Sequence, residues 1–137
     1  MKGKAISNVF YAEDDGDDRQ FFVDAFKIVD PGINCIVAGD GQEALEKLPN
    51  TSPPPDIIFL DINMPLVDGF ECLQEIKKRP EFSAIPVVII STTEHPNNAI
   101  RSNELGADRF VTKPSSFTTY CDLVRQIVGD LSSDPGK

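Results

Sequence analysis

The sequence predicts an α/β fold with a parallel sheet. Five short apolar runs alternate with five stretches of helical spacing along 137 residues. That alternation is the mark of strand–helix–strand units joined by right-handed crossovers. The central runs, Ile57-Ile58-Phe59-Leu60 and Val87-Val88-Ile89-Ile90, show no apolar–polar alternation, as expected of strands buried on both faces. Four of the runs stop at a residue with chemistry of its own: Glu13-Asp14, Asp61, Ser91 and Lys113. In open parallel sheets, ligands bind beyond the carboxyl ends of the strands.

Each element follows from local residue choice. Residues 6–12 form the first strand, and the next six residues, 13–18, carry five acids. Asp15, Asp17 and Asp18 suit a helix N-terminus, where negative charge meets the positive end of the dipole. The helix is expected to bury Phe21, Phe22, Ala25, Phe26 and Val29, which recur at helical spacing, and Pro31-Gly32 ends it. Residues 33–38 are the second strand. Asp40 then caps a short helix bearing Ala44, Leu45 and Leu48. Residues 49–55 include Pro53-Pro54-Pro55, a stiff extended spacer leading into the third strand. That strand ends at Asp61, and a loop over residues 63–69 enters a helix with Phe70, Leu73 and Ile76 inside. Residues 84–90 are the fourth strand, followed by a polar stretch from Thr92 to Asn97. The next helix runs through Ala99, Ile100 and Leu105 and is stopped by Gly106. Residues 108–112 are the fifth strand. The last helix places Phe117, Tyr120, Cys121, Val124, Ile127, Val128 and Leu131 on its apolar face. Residues 132–137 are polar and expected to fray as a flexible tail.

Composition removes several function classes. The 13 basic residues are outnumbered by 22 acidic ones, for a net charge of −9, and the longest basic cluster is Lys77-Lys78-Arg79. Nucleic-acid binding depends on neutralising phosphates with Lys and Arg, so direct binding is not expected. No apolar run approaches the ~20 residues of a membrane span. Lys2 and Lys4 precede no signal-peptide core, because Glu13 comes too soon. A cytoplasmic protein without a membrane role is expected. Cys35, Cys72 and Cys121 are widely spaced and form no Cys-x-x-Cys pair, and they read as small core residues.

The strand ends together carry a resemblance. Glu13-Asp14, the stretch Asp61-x-Asn63-Met64-Pro65-x-x-Asp68-Gly69, Ser91 and Lys113-Pro114, in this order, resemble the CheY-like receiver domain of two-component response regulators. The resemblance covers residues 5–131 and implies a doubly wound, flavodoxin-like sheet of strand order 2-1-3-4-5. It implies that Asp61 accepts a phosphoryl group from a sensor histidine kinase or phosphotransfer protein, with Mg2+ as cofactor. Glu13, Asp14 and Asp61 would hold the metal, together with the backbone carbonyl of Asn63. Lys113 would pair with the acceptor and then with the phosphoryl group, and Ser91 would bond a phosphoryl oxygen. Ser91 and Phe110 would form a switch that alters a partner-binding face made by the fourth helix, fifth strand and fifth helix. A cis Lys113–Pro114 bond would turn the lysine back over the sheet. Two features depart from the commonest pattern: Ser115-Ser116 separates Lys-Pro from the aromatic Phe117, and Ser91 is followed by Thr92 and Thr93.

Elementary electrostatics supports the metal. Two carboxylates ~5 Å apart repel by ~3 kcal/mol at an effective dielectric of 20, and an anionic phosphoryl donor adds to that repulsion. A divalent cation bridging the acids and the phosphoryl oxygens removes it. A carboxylate is a competent nucleophile toward phosphorus, and the resemblance implies that the protein catalyses only its own phosphorylation and dephosphorylation. A dehalogenase-type enzyme with an aspartyl nucleophile would need a second Asp where Asn63 stands, and there is no room for a cap domain. A receiver-like scaffold that binds partners without phosphorylation is the remaining alternative. The only histidine, His95, precedes Pro96 and is biased away from helix, which disfavours a phosphohistidine role. There is no Gly-rich Walker loop. No output domain follows the last helix within these residues, so action through a separate protein, or as part of a longer regulator, is expected.

Overall fold

The computed structural model describes residues 6–92 and 96–132. Five parallel strands lie in the order β2-β1-β3-β4-β5. They are β1 (Asn8–Ala12), β2 (Asn34–Ala38), β3 (Ile57–Asp61), β4 (Val87–Ser91) and β5 (Arg109–Thr112). The helices are α1 (Gly16–Val29), α2 (Gly41–Lys47), α3 (Gly69–Lys78), α4 (Pro96–Glu104) and α5 (Phe117–Ser132), with a 3₁₀ turn at Leu48–Asn50. The expected class, strand count and order are all present.

β3 and β4 are buried along their whole length, as their unbroken apolar runs require. The sheet separates two core layers. On one face Val9, Tyr11, Ile57, Phe59, Val88 and Ile90 pack against Phe22, Ala25 and Phe26 of α1 and Tyr120, Val124 and Ile127 of α5. On the other face Phe10, Ile58, Leu60 and Ile89 meet Ala44 of α2, Leu48, and Phe70, Leu73 and Ile76 of α3. This is the period-two alternation of a strand, with both faces apolar because both are covered.

The caps follow the residue chemistry. The Asp15 side chain accepts from the N–H groups of Asp17 and Asp18, and that of Asp40 accepts from the N–H of Glu43. Asp68 and Glu71 close a capping box at α3, satisfying two otherwise orphaned donors. Gly106, at φ +100°, ends α4 in the left-handed conformation that glycine adopts without strain.

Three local expectations change. Phe21 is 44% exposed and does not join the buried stripe of α1. It turns toward Phe117 and Tyr120 of α5, with ring centroids 6.4 and 6.2 Å away. The Lys113–Pro114 bond is trans, and the cis bond among the described residues is Ser52–Pro53. The spacer is not uniformly extended either, since Pro49 lies within the 3₁₀ turn. His95, the tail residues 133–137 and the side chain of Leu131 lie outside the described residues.

Candidate functional site

The sheet register brings the polar strand ends to one edge. Asp61 is the last residue of β3 and Ser91 the last of β4; Glu13 directly follows β1 and Lys113 directly follows β5. Because the strands are parallel and in register, with Ala12 opposite Leu60, Asp61 opposite Ile90 and Ser91 opposite Thr112, these termini converge. Glu13, Asp61 and Ser91 are all buried, at 1%, 3% and 0% exposure. Asp14 is exposed and opens the cluster to water.

Lys113 reaches back over the sheet despite its trans proline bond. Its Nζ donates to Glu13 Oε1 at 2.6 Å and to Asp18 Oδ2 at 3.0 Å, and it lies 3.6 Å from Asp61 Oδ1. The lysine is therefore an ion-pair partner of all three acids, but it hydrogen-bonds to only two. Burial pulls its pKa down, yet the hydrogen bonds to Glu13 and Asp18 outweigh that, and the net shift is upward. It is held as a cation.

Glu13 is the most committed of the acids. Its Oε1 accepts from Tyr11 O–H at 2.8 Å as well as from Lys113, and its Oε2 accepts from the Asp15 N–H at 3.2 Å. Burial, and next the Glu13 charge, push the Tyr11 phenol above its ordinary range, so it stays a donor. Asp61 has the opposite balance. Burial and then the nearby Glu13 charge push its carboxyl up to about 7, with Lys113 pulling the other way. Desolvation and like charge both disfavour the ionised form, and a single cation 3.6 Å away does not offset them.

Ligand atoms of Glu13, Asp14 and Asp61 lie within 4.8 Å of one another. An all-oxygen donor set with one water-exposed member fits a hard divalent cation that keeps several waters. Asn63, two residues beyond the end of β3, is exposed. The loop that carries it is tightly placed. Gly69 packs so closely on the end of β3 that a Cβ there would collide with the backbone carbonyl of Asp61. Gly41 likewise meets the carbonyl of Val67 from the same loop. Leu66 between them takes φ 69°, a left-handed conformation uncommon for a branched residue, with its side chain 75% exposed.

Ser91 lies at the end of β4, and its carbonyl accepts from the Lys113 N–H at 2.7 Å. Phe110 is half-buried, pairs in register with Ile89 and packs against the layer of α2 and α3. The structure thus brings Glu13, Asp14, Asp61, Ser91 and Lys113 to one edge and sets Phe110 on the flank of β5. Two further members carry no site signal of their own in the sequence. Asp18 reads in sequence as a helix-terminal acid, and Tyr120 as one more apolar-face residue. Here Asp18 holds Lys113, and its Oδ1 accepts from the Tyr120 O–H at 3.4 Å. The only hint was the excess of acids over what one helix cap needs.

Known proteins share this architecture. The response regulator receiver domain family matches residues 9–125. The response regulator Rcp1 of Synechocystis sp. is 31% identical over 124 residues, spanning 87% of this chain and 84% of that protein. Its Mn2+-bound structure aligns with a TM-score of 0.80 at 30% identity over 90% of this chain and 92% of that one. The phosphorylated cyanobacterial phytochrome response regulator RcpA gives a TM-score of 0.85 at 29% identity, covering 93% and 94% of the two chains. Longer relatives match in part: the sensor histidine kinase CheAY of Helicobacter pylori is 33% identical over 104 residues, 74% of this chain but 13% of that protein. With a family match over most of its length and a fold shared with response regulators, this chain belongs to the response regulator receiver domain family of two-component signalling.

Proposed function

We propose that this protein is a phosphoacceptor whose Asp61 takes a phosphoryl group from a histidine kinase or phosphotransfer protein. The observation that carries the proposal is the environment of Asp61: a buried strand-end carboxylate beside Glu13 and Asp14, with Lys113 Nζ, itself bonded to Glu13, 3.6 Å away. In the transfer, an Asp61 carboxylate oxygen forms a bond to phosphorus while the donor's P–N bond breaks, and the imidazole leaves with the electron pair. Positioning and charge neutralisation are most of the catalysis such a step needs.

Glu13, Asp14, Asp61 and the Asn63 carbonyl are the groups that would hold Mg2+. The cation supplies neutralisation of the acids and of the phosphoryl oxygens. The chain's own groups do the rest. Lys113 stabilises the ionised carboxylate and then a phosphoryl oxygen, as a buried ammonium does in a site that excludes water. Ser91, at the neighbouring strand end, would donate its hydroxyl to another. Asp68 lies outside the chemistry, since its carboxylate is engaged in capping α3. Phosphorylation would then bias the face of α4, β5 and α5, with Ser91 and Phe110 as levers, by as much as the two states differ in affinity for the modified site.

Intact-mass measurement after incubation with acetyl phosphate and Mg2+ tests this. Wild type and Asp68→Asn should each gain one phosphoryl group, Asp61→Asn should gain none, and chelator should prevent the gain. No gain in wild type would favour the scaffold reading, and a full gain in Asp61→Asn would place the acceptor elsewhere.

A further inference from the structure

We propose that Asp18 is a positioning residue: it shares Lys113 with Glu13 in the unmodified protein, and it is the partner that lets the lysine go when Asp61 is phosphorylated. The inference rests on Asp61 being the acceptor.

An ammonium has three N–H donors and no acceptor. In Lys113 two of them are spent, on Glu13 at 2.6 Å and on Asp18 at 3.0 Å, and Asp61 at 3.6 Å lies beyond hydrogen-bonding distance. The lysine is 7% exposed, so little water competes for these donors. A phosphoryl group on Asp61 adds charge and strong acceptor oxygens; as it draws Nζ inward to take the third donor, one of the two existing bonds lengthens.

The two candidates for that bond differ in what surrounds them. Glu13 is 1% exposed and also holds Tyr11 and the Asp15 N–H. Parting it from the lysine would leave a buried charge uncompensated, which is strongly unfavourable. Asp18 has the longer bond, and its side chain is 24% exposed, so water can replace what it loses. The backbone of Asp18 need not move, because its N–H is tied to Asp15 Oδ1 at 3.1 Å. Only the carboxylate is free to turn.

That turn has a second consequence. The other oxygen of Asp18 accepts from the hydroxyl of Tyr120, whose ring is buried on α5 and lies 6.2 Å from that of Phe21 on α1. Release of the lysine therefore changes the partner geometry of Tyr120 and reaches the α1–α5 side of the domain. This route is separate from Ser91 and Phe110.

The full chain, with Mg2+, is titrated with beryllofluoride, a mimic of the acyl phosphate. Three variants are compared with wild type: Asp18→Ala, Asp18→Glu and Asp17→Ala. Asp17 is exposed on the same helical turn and controls for lost negative charge. Asp18→Ala should bind the mimic about three- to tenfold tighter than Asp17→Ala, the range expected for losing a partly solvated ion-pair competitor. Asp18→Glu should restore the wild-type affinity. In wild type the Tyr120 ring resonances should shift on saturation, and in Asp18→Ala that shift should be lost. Equal or weaker binding in Asp18→Ala relative to Asp17→Ala, with wild type binding normally, overturns the role of Asp18 and leaves the acceptor assignment standing. Failure of wild type both to bind the mimic and to be phosphorylated overturns the acceptor assignment, and this inference with it.

Discussion

The two layers of helices grip the sheet unequally. α1 and α5 bury Phe22, Ala25, Phe26, Tyr120, Cys121, Val124 and Ile127. The rings of Phe22, Phe26, Tyr11 and Phe59 pack tilted or edge-on at 4.0–6.4 Å. Across the sheet, α4 buries only Ser102 of its nine residues. Ile100 is 57% exposed, and Arg101 reaches over the Phe70 ring at 4.5 Å. One fully buried large side chain contributes about 1.5–3 kcal/mol, and an exposed cation–π contact about 0.5–1 kcal/mol. The firm layer supplies Asp18 and Tyr120 and so fixes where Lys113 stands. The loose helix belongs to the face proposed to respond. A device that must keep its chemistry in register while changing its surface gains from that division, because local openings are drawn from weakly packed elements.

The largest expected effect tests the firm side. Phe26→Ala removes a fully buried ring in contact with Phe22 and Phe59, and should destabilise the fold by about 3–5 kcal/mol in urea denaturation. A loss under 1 kcal/mol would mean that α1 is not held as described. Next comes the joint between β3 and its loop. Gly69→Ala forces a methyl against the Asp61 carbonyl and should cost about 1–3 kcal/mol by overpacking. It should also slow the proposed phosphorylation by acetyl phosphate, because the end of β3 that carries Asp61 must shift to make room.

A smaller effect follows from pH. The Asp61 carboxyl is pushed up to about 7, against about 3.9 in an unfolded chain. Between those values the folded protein keeps a proton that the unfolded chain releases, so stability falls as pH rises across that window. The drop should be on the order of 1 kcal/mol, less than the shift alone implies, since solvent reaching the site at Asp14 screens it. Metal-free denaturation at pH 5 and pH 8 should show it in wild type, and Asp61→Asn should lack it. The smallest effect belongs to the loose side: Ile100→Ala should change stability by less than about 0.5 kcal/mol. A loss comparable to that of Phe26→Ala would erase the contrast between the layers.

How much could be read without a structure depended on the range of the interaction involved. Runs such as Ile57-Ile58-Phe59-Leu60 mark strands because burial on both faces is a property of a few consecutive residues. Asp40 and Asp68 mark helix starts because capping spans three residues. Glu13, Asp14, Asp61, Ser91 and Lys113 stand out because each belongs to the polar residues that close such a run. Phe21 was misplaced by the same reasoning, since helical spacing defines a stripe but not where its edge meets solvent.

The alternation of strands and helices, the caps, and the identity of the polar residues at the strand ends are written in the chain, because those rest on contacts a few residues apart. What these residues do to one another is a property of the folded molecule. Lys113 pairs across 100 residues with Glu13 and across 95 with Asp18, and Asp18 meets Tyr120 across 102. An ammonium's choice among three carboxylates turns on differences of about 1 Å and on which partner water can reach. Burial and distance of that kind exist only once β1, β3 and β5 lie side by side.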